Sequence, residues 1–586
     1  MMEQVDVAII GAGWHGIAAA KTYNAAYPSQ KMVILDGASS IGGVWAKERI
    51  YQGLKTNNVL GSYEFSDFPM SDELFAVQRG QHIPGEVVHA YLAASVERFG
   101  LRDKIRLGSR VDRAEYTSDC RWVLSIFEPS TGAQKMLKTS KLIVATGLTS
   151  RPIMPQFAGV DDFRAGSQLV HVHEFASREA EIVDAKKRVT VLGGSKSAWD
   201  VVYSCASRGL DVNWVIRESG FGPTWMAPAY VGWWPFTKRL LESFPVTRLC
   251  SLFSPCAWNQ EAGGTIYTWL HRSWLGRKIV DAFWAMMQLN LEMTNEYHGH
   301  PETEKLRPWV SPFWVATSLG ILNYPADFFA LVREGRIRVH VADIDRLSRG
   351  RVHLSTSQEL DVDILICCTG WEETSGIRFL PEHVSAKLGF PGSPDVIPKD
   401  LREEANQLIH EQFPKLQDQP PFSCRRGHAL PDGSSPAPLR LARFMVPPAM
   451  FPDRSIVFLG YTKTLNTTLL AEVQALWATA FLNDKFPAPS PTTMMTVADW
   501  TLETATHTEF GRWRSPRANG GHRYPNFVFD ILPYLDLLLR DLGICPRRKV
   551  GFWAHWMQPH GLSDYRSLIT EWRAGVGNTQ ERQQMA

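Results

Sequence analysis

Gly11, Gly13 and Gly16 stand between an apolar run that ends at Ile10 and an alanine-rich stretch, and Asp36 closes the next apolar run. Each residue type has a separate use. Gly11 permits a tight turn out of a strand, Gly13 lets the backbone approach a pyrophosphate, and Gly16 lets a helix pack on a sheet. The pyrophosphate then faces the free N–H groups and positive end of that helix. Asp36, 20 residues after Gly16, can accept hydrogen bonds from ribose hydroxyls and would repel a 2′-phosphate, which suits FAD or NAD better than NADP.

The same logic returns 182 residues later, where VTVL runs into Gly193, Gly194, Ser195 and then Ala198. A second apolar run, Val212 to Ile216, ends at Arg217 instead of an acid. An arginine there can pair bidentately with a 2′-phosphate, so NADPH is preferred over NADH at this turn. Lys196 either adds charge near the phosphates or sits as a solvated surface lysine. One flavin and one nicotinamide that reduces it account for two such turns better than two nicotinamides do.

These residues need strands and helices to hold them. Val5–Ile10 and Met32–Leu35 flank a helix in the first unit, and Val189–Leu192 and Val212–Ile216 flank one in the second; two further apolar strands, KLIVATG at 141–147 and DVDILICCTGW at 361–371, end in Thr-Gly. The fold class is therefore α/β, with two Rossmann-like dinucleotide-binding domains. The expected organisation is a discontinuous FAD domain, 1–165 and 353–485, into which an NADPH domain, 166–352, is inserted. The stretch 222–310 is expected to be an aromatic-rich helical insertion whose tryptophans, Trp225, Trp233, Trp234, Trp258, Trp269, Trp274 and Trp284 among them, either line a pocket for an apolar ligand or form core. Residues 494–586 follow a proline-rich link and read as a C-terminal helical cap.

At 586 residues the chain exceeds single-core size. Its 62 basic and 60 acidic residues leave a net charge of +2 without runs of one sign, which gives nucleic-acid binding no electrostatic support. Eight cysteines without a CxxC pair point to a reduced, cytoplasmic protein, and the first strand begins too early to leave room for a leader. The run 527–539 is expected to pack as a buried terminal helix; the lesser alternative, peripheral membrane contact, would need a basic polar face that this run lacks. Neither His171 with His173 nor His298 with His300 has ligand spacing for a metal, and no hydrolase motif is present.

Taken in order, GAGWHG (11–16), GGVW (42–45), LKTNN (54–58), FSDFP (65–69), ATG (145–147), GGSKSAWD (193–200), CTGW (368–371) and FLGY with AEVQALW (458–477) resemble the flavin-containing monooxygenase family, the single-component FAD and NADPH class, in its fungal natural-product branch. The resemblance implies that Gly11, Gly13, Trp14, His15, Gly16, Asp36, Gly43, Trp45 and Thr56 serve the flavin, that Gly193, Ser195, Lys196, Ser197 and Arg217 serve NADPH, that Thr369 and Gly370 lie at the nucleotides, and that Asn57 is the asparagine that steadies the oxygenated flavin and the nicotinamide. It also implies capture of O2 by reduced flavin as a C4a-hydroperoxide and transfer of one oxygen atom to a small apolar organic substrate. The family's spacer between the turns is met here by Phe163, Gly166, His171 and Phe175, with one residue added on each side of the glycine, and GGSKS replaces the usual GxGxSG. The Phe175 ending and Asn57 lean toward hydroxylation, heteroatom oxidation or epoxidation. A Baeyer-Villiger enzyme, which would want an arginine beside the peroxide, and a flavin-binding interaction protein without turnover remain the alternatives.

Overall fold

The computed structural model describes residues 2–71, 75–234, 237–259, 264–315, 318–372, 374–391, 393–420, 437–516 and 523–585. Two sheets organise the chain. In the first, Glu3–Ile10 lies between Met32–Leu35 and Ala133–Val144, parallel to both, and the segments 7–10, 32–35 and 142–144, where the three run side by side, are apolar and buried on both faces, as strands covered on each side must be. An antiparallel meander, Arg110–Tyr116 and Trp122–Glu128, extends this sheet from Ala133–Val144. The chain returns to it late: Arg378–Leu380 pairs with Arg110–Tyr116, and Ile456–Phe458 pairs in parallel with Ala133–Val144.

The second sheet has five parallel strands in the order Gln168–His171, Ile364–Cys367, Val189–Leu192, Val212–Ile216 and Ile337–Val341. The expected strands at both nucleotide turns agree with those found, with the first beginning two residues earlier. Cys367 and Cys368 pack into different hydrophobic clusters, as neighbouring strand residues on opposite faces must. Burial pushes the Cys367 thiol up to about 12, so it stays protonated and inert.

The stretch expected as a helical insertion begins as strands. Trp225–Pro228 pairs with Leu319–Leu322, and Tyr230–Trp234 forms a hairpin with Thr237–Leu240. Aromatic and β-branched residues favour a pleated surface, and Pro228 cannot continue a helix. Helices follow from Arg248 onward, of which Trp274–Asn295 is the longest. The C-terminal region is helical, with Val497–Arg514, Ile531–Asp541, Phe552–Met557 and Leu568–Met585. Ile531–Asp541 is buried at all but one position and packs on Thr467–Leu482, which is the expected buried terminal helix. No helix among the described residues is long and apolar enough to cross a membrane.

Candidate active site

The two nucleotide turns open into one cavity of about 1780 Å³. That exceeds the roughly 300–1,000 Å³ of ordinary small-molecule pockets and leaves room for more than one ligand. Of the residues singled out from the sequence, Gly11, Gly13, Trp14, His15, Asp36, Gly43, Asn57, Gly193, Ser195, Lys196, Ser197, Arg217, Thr369 and Gly370 line it. Gly16, Trp45 and Thr56 lie outside the lining.

The glycines divide by what a side chain would meet. At Gly11, where φ is +110°, and at Gly16, an added Cβ would collide with backbone, of Ala145 and Gly11 respectively. Those two glycines are required by the protein itself. At Gly13 an added Cβ would meet only ordinary contacts, the nearest being Gly43 Cα at 3.6 Å, so its bareness serves the cavity, not the packing. Helix Trp14–Ala26, which follows, has no side-chain cap and no acid in its first turn, and the same holds for Lys196–Ala206 behind Ser195. Both helices therefore present unsatisfied N–H groups and a positive end to the cavity, the environment a pyrophosphate needs.

Asp36 is positioned by its neighbours: its carboxylate accepts from the backbone N–H groups of Ala12 at 2.6 Å and Ala38 at 2.8 Å. Burial raises its pKa against the pull of those two donors. His15 is held neutral, because burial pushes its pKa down to about 4, and its Nε2 has no hydrogen-bond partner. Gly460, at φ +74°, is the residue that makes room for it, since a Cβ there would sit 2.7 Å from His15 Nδ1. The FLGY motif is thus spent on the wall of the first turn, with the Tyr461 hydroxyl 2.6 Å from Thr146 Oγ1.

Asn57 and Asn58 show how one strand separates a free amide from an engaged one. Strand Lys55–Val59 alternates its faces. Asn58 donates to Glu242 at 2.7 Å and to the Leu465 carbonyl at 3.1 Å, and Thr56 donates to the Asn58 carbonyl at 2.6 Å and accepts from the Ile83 N–H. Thr56 is consequently a buried strand fastener. Asn57 faces the cavity with an amide that makes no hydrogen bond among the described residues. Trp45 likewise acts one step back, donating from Nε1 to the Tyr63 hydroxyl at 3.0 Å. It is Tyr63 that lines the cavity, and burial pushes its pKa up to about 12, so it keeps its proton.

Lys196 stands at the cavity wall with its charge already engaged. Its ammonium is held by Asp200, by Asn323 Oδ1 at 3.1 Å and by the Tyr324 hydroxyl at 3.4 Å. Asn323 in turn donates to the Lys55 and Thr56 carbonyls, both at 3.1 Å. The second nucleotide helix is therefore tied through Lys196 and Asn323 to the strand that carries Asn57.

The cations around the cavity differ in how far they are committed. Arg110, Arg151 and Lys196 are paired with Asp112, Glu372 and Asp200. Arg217, at the strand end, and Arg49 have no carboxylate partner within ion-pair distance among the described residues. The Arg49 guanidinium lies over the Trp371 ring, 5.1 Å from its centre, and burial lowers its pKa. Sequence reading missed Arg49: ERIYQG looks like any polar loop, and its partner ring is more than 300 residues away. His171 Nε2 donates to the Gly370 carbonyl at 3.0 Å and its Nδ1 accepts from the His173 N–H, so His171 braces the altered spacer and His173, not His171, faces the cavity.

Among the described residues, no tryptophan of the insertion lines this cavity. Trp225, Trp258 and Trp284 are buried in core, Trp269 and Trp274 are exposed, and the side chains of Trp233 and Trp234 lie outside the described residues. Their apolar mass is used to pack the insertion against the cap, where Trp284 meets Phe313 and Phe529 edge to face.

Residues 8–241 match the family model described as pyridine nucleotide-disulphide oxidoreductase. FAD-dependent monooxygenases of Aspergillus nomiae and Alternaria brassicicola are each 33% identical to the chain, the first over 98% of both chains and the second over 98% of this one and 95% of its own. One of Aspergillus sclerotiorum is 34% identical over 97% of this chain and 98% of its own. Among solved structures, the NADP+-bound cyclohexanone monooxygenase from Rhodococcus sp. Phi1 superposes with a TM-score of 0.57 at 17% identity over 99% of both chains. The S-allyl-L-cysteine S-oxygenase of Allium sativum gives 0.52 at 15% identity, covering 99% of this chain and 94% of its own. The structural likenesses establish the shared fold, and the end-to-end identity establishes the relationship: the chain belongs to the FAD-dependent monooxygenases.

Proposed function

We propose that this FAD-dependent monooxygenase is reduced by NADPH and places one atom of O2 on a small apolar substrate, of the kind found in fungal secondary metabolism, by hydroxylation, heteroatom oxidation or epoxidation. The observation that carries the reading is the single cavity with two uncapped helix ends, one beside Asp36 and the other beside Arg217. A bound flavin would supply a hydride acceptor for the nicotinamide and a means of activating dioxygen. The chain's own residues do the rest. The turn at Gly11–Gly16 holds one pyrophosphate, with Asp36 on the ribose. Arg217 reads the 2′-phosphate of the other nucleotide, whose pyrophosphate faces Ser195 and Ser197. Asn57, with its amide uncommitted, donates and accepts at the reacting edge without titrating. Tyr63 and His15 are polar but proton-neutral at working pH, which keeps stray acid and base away from the site.

Baeyer-Villiger oxygenation is the second reading, and Arg49 is the observation in its favour, since an unpaired guanidinium can stabilise a developing anion. Labelled dioxygen distinguishes the two. The flavin-loaded protein with NADPH, offered panels of apolar amines, sulfides, alkenes and ketones, should incorporate one labelled atom into the first three classes. An ester product from a ketone, abolished by Arg49→Ala, would establish the second reading. A free Asn57 and bare helix ends speak against a binding protein without turnover.

A further inference from the structure

Outside the cavity lining, helix Trp274–Asn295 buries Val280, Phe283, Trp284, Met287 and Leu291 on one face. A surface helix with such an inner face normally shows water a polar outer one. Here the outer face is apolar: Leu275 is 52% exposed, Ile279 39%, Met286 52%, Leu289 57% and Met293 69%, with exposed Ala282 between them. The intervals along this stripe alternate between four and three residues, the seam of a helix that packs against another helix with knobs in holes. It extends for about 27 Å of helix. Together with the exposed Trp274 at its start, the stripe presents on the order of 700 Å² of apolar surface, more than a monomer ordinarily leaves open.

Charge selects the occupant. Arg272 and Lys278 are exposed at the N-terminal end and Glu296 at the C-terminal end, and none of the three has an ion-pair partner among the described residues. Arg272 and Glu296 are equally distant along the chain from Trp284, the midpoint of the stripe. A second copy of the same helix, antiparallel about that midpoint, sets each basic end against an acidic one and each half of the seam against the other. A lipid surface would instead favour a broad apolar face flanked by several cations, and this stripe is narrow and ends in an acid. Two copies joined in this way bury on the order of 1,400 Å², within the roughly 1,200–2,000 Å² of specific interfaces.

We propose that the protein forms a two-fold dimer through the outer stripe of Trp274–Asn295, paired antiparallel. In analytical ultracentrifugation at micromolar concentration, the flavin-loaded protein should sediment at twice its 66.0 kDa mass. Leu289→Glu should give a monomer with unchanged flavin content. Arg272→Glu alone should weaken the dimer about tenfold, and Arg272→Glu combined with Glu296→Arg should restore it, because the two ends are then exchanged in both copies. The charge exchange decides the matter even if Leu289→Glu loses its flavin, since both charged residues are exposed. A wild-type monomer, a dimer indifferent to Leu289→Glu and the charge exchange, or a monomer that co-sediments with phosphatidylcholine–phosphatidylserine vesicles would each overturn the proposal.

Discussion

Gly13 and Arg217 bear most directly on the chemistry. A methyl group at Gly13 meets no protein atom closer than an ordinary contact, so Gly13→Ala should fold and yet lose its yellow colour, because the methyl occupies the phosphate's approach. Flavin content of the purified variant checks this. Arg217→Ala should raise KM for NADPH by about ten- to a hundredfold, the equivalent of about 1–3 kcal/mol for a charged hydrogen bond, and leave NADH almost unaffected. Steady-state kinetics with both nucleotides reads the difference. The place of both residues at the cavity was legible because spacing and strand ends are local facts. Arg49 and the divided labour of Asn57 and Asn58 were not, because a commitment such as that of Asn58 to Glu242, 184 residues away, leaves no trace in the strand's own sequence.

The elements that hold the site are fastened by buried charge. Asp541, at the end of Ile531–Asp541, accepts from Arg443 Nε at 2.7 Å and Nη2 at 3.1 Å, and from Trp477 Nε1 at 2.8 Å. Arg443 is buried, and Asp541 and Glu503 hold its pKa above the usual arginine range against burial. Asp541→Ala leaves that cation short of a partner and should cost about 3–5 kcal/mol; the melting midpoint of the flavin-loaded variant should fall markedly. The nucleotide units could be read from sequence because each is built from neighbours. The opening of the insertion could not, since Trp225–Pro228 becomes a strand only by pairing with Leu319–Leu322. The tryptophan count left pocket and core open for a related reason: composition records apolar mass without recording which wall it faces.

Across the whole molecule, four enclosed histidines set the response to acid. Burial pushes His15 and His271 down to about 4 and His507 and His560 to about 3, all from an ordinary value near 6.5. Between those values the unfolded chain binds protons that the folded chain refuses, so stability rises with pH through this window and is lost as pH falls from about 6.5 toward 4. Buried Asp530, raised to about 6, opposes this in part, because the folded state holds its proton longer than the unfolded one. With four histidines against it, the melting midpoint should still drop between pH 7 and pH 5. The central claim is that one cavity brings a reduced nicotinamide bearing a 2′-phosphate to the flavin. The most direct measurement is anaerobic mixing of the flavin-loaded protein with NADPH or NADH while the flavin's visible absorption is followed. Rapid bleaching by NADPH, much slower bleaching by NADH, and loss of that preference in Arg217→Ala are the predicted results; a flavin that neither nucleotide bleaches, or that both bleach equally, would contradict the account.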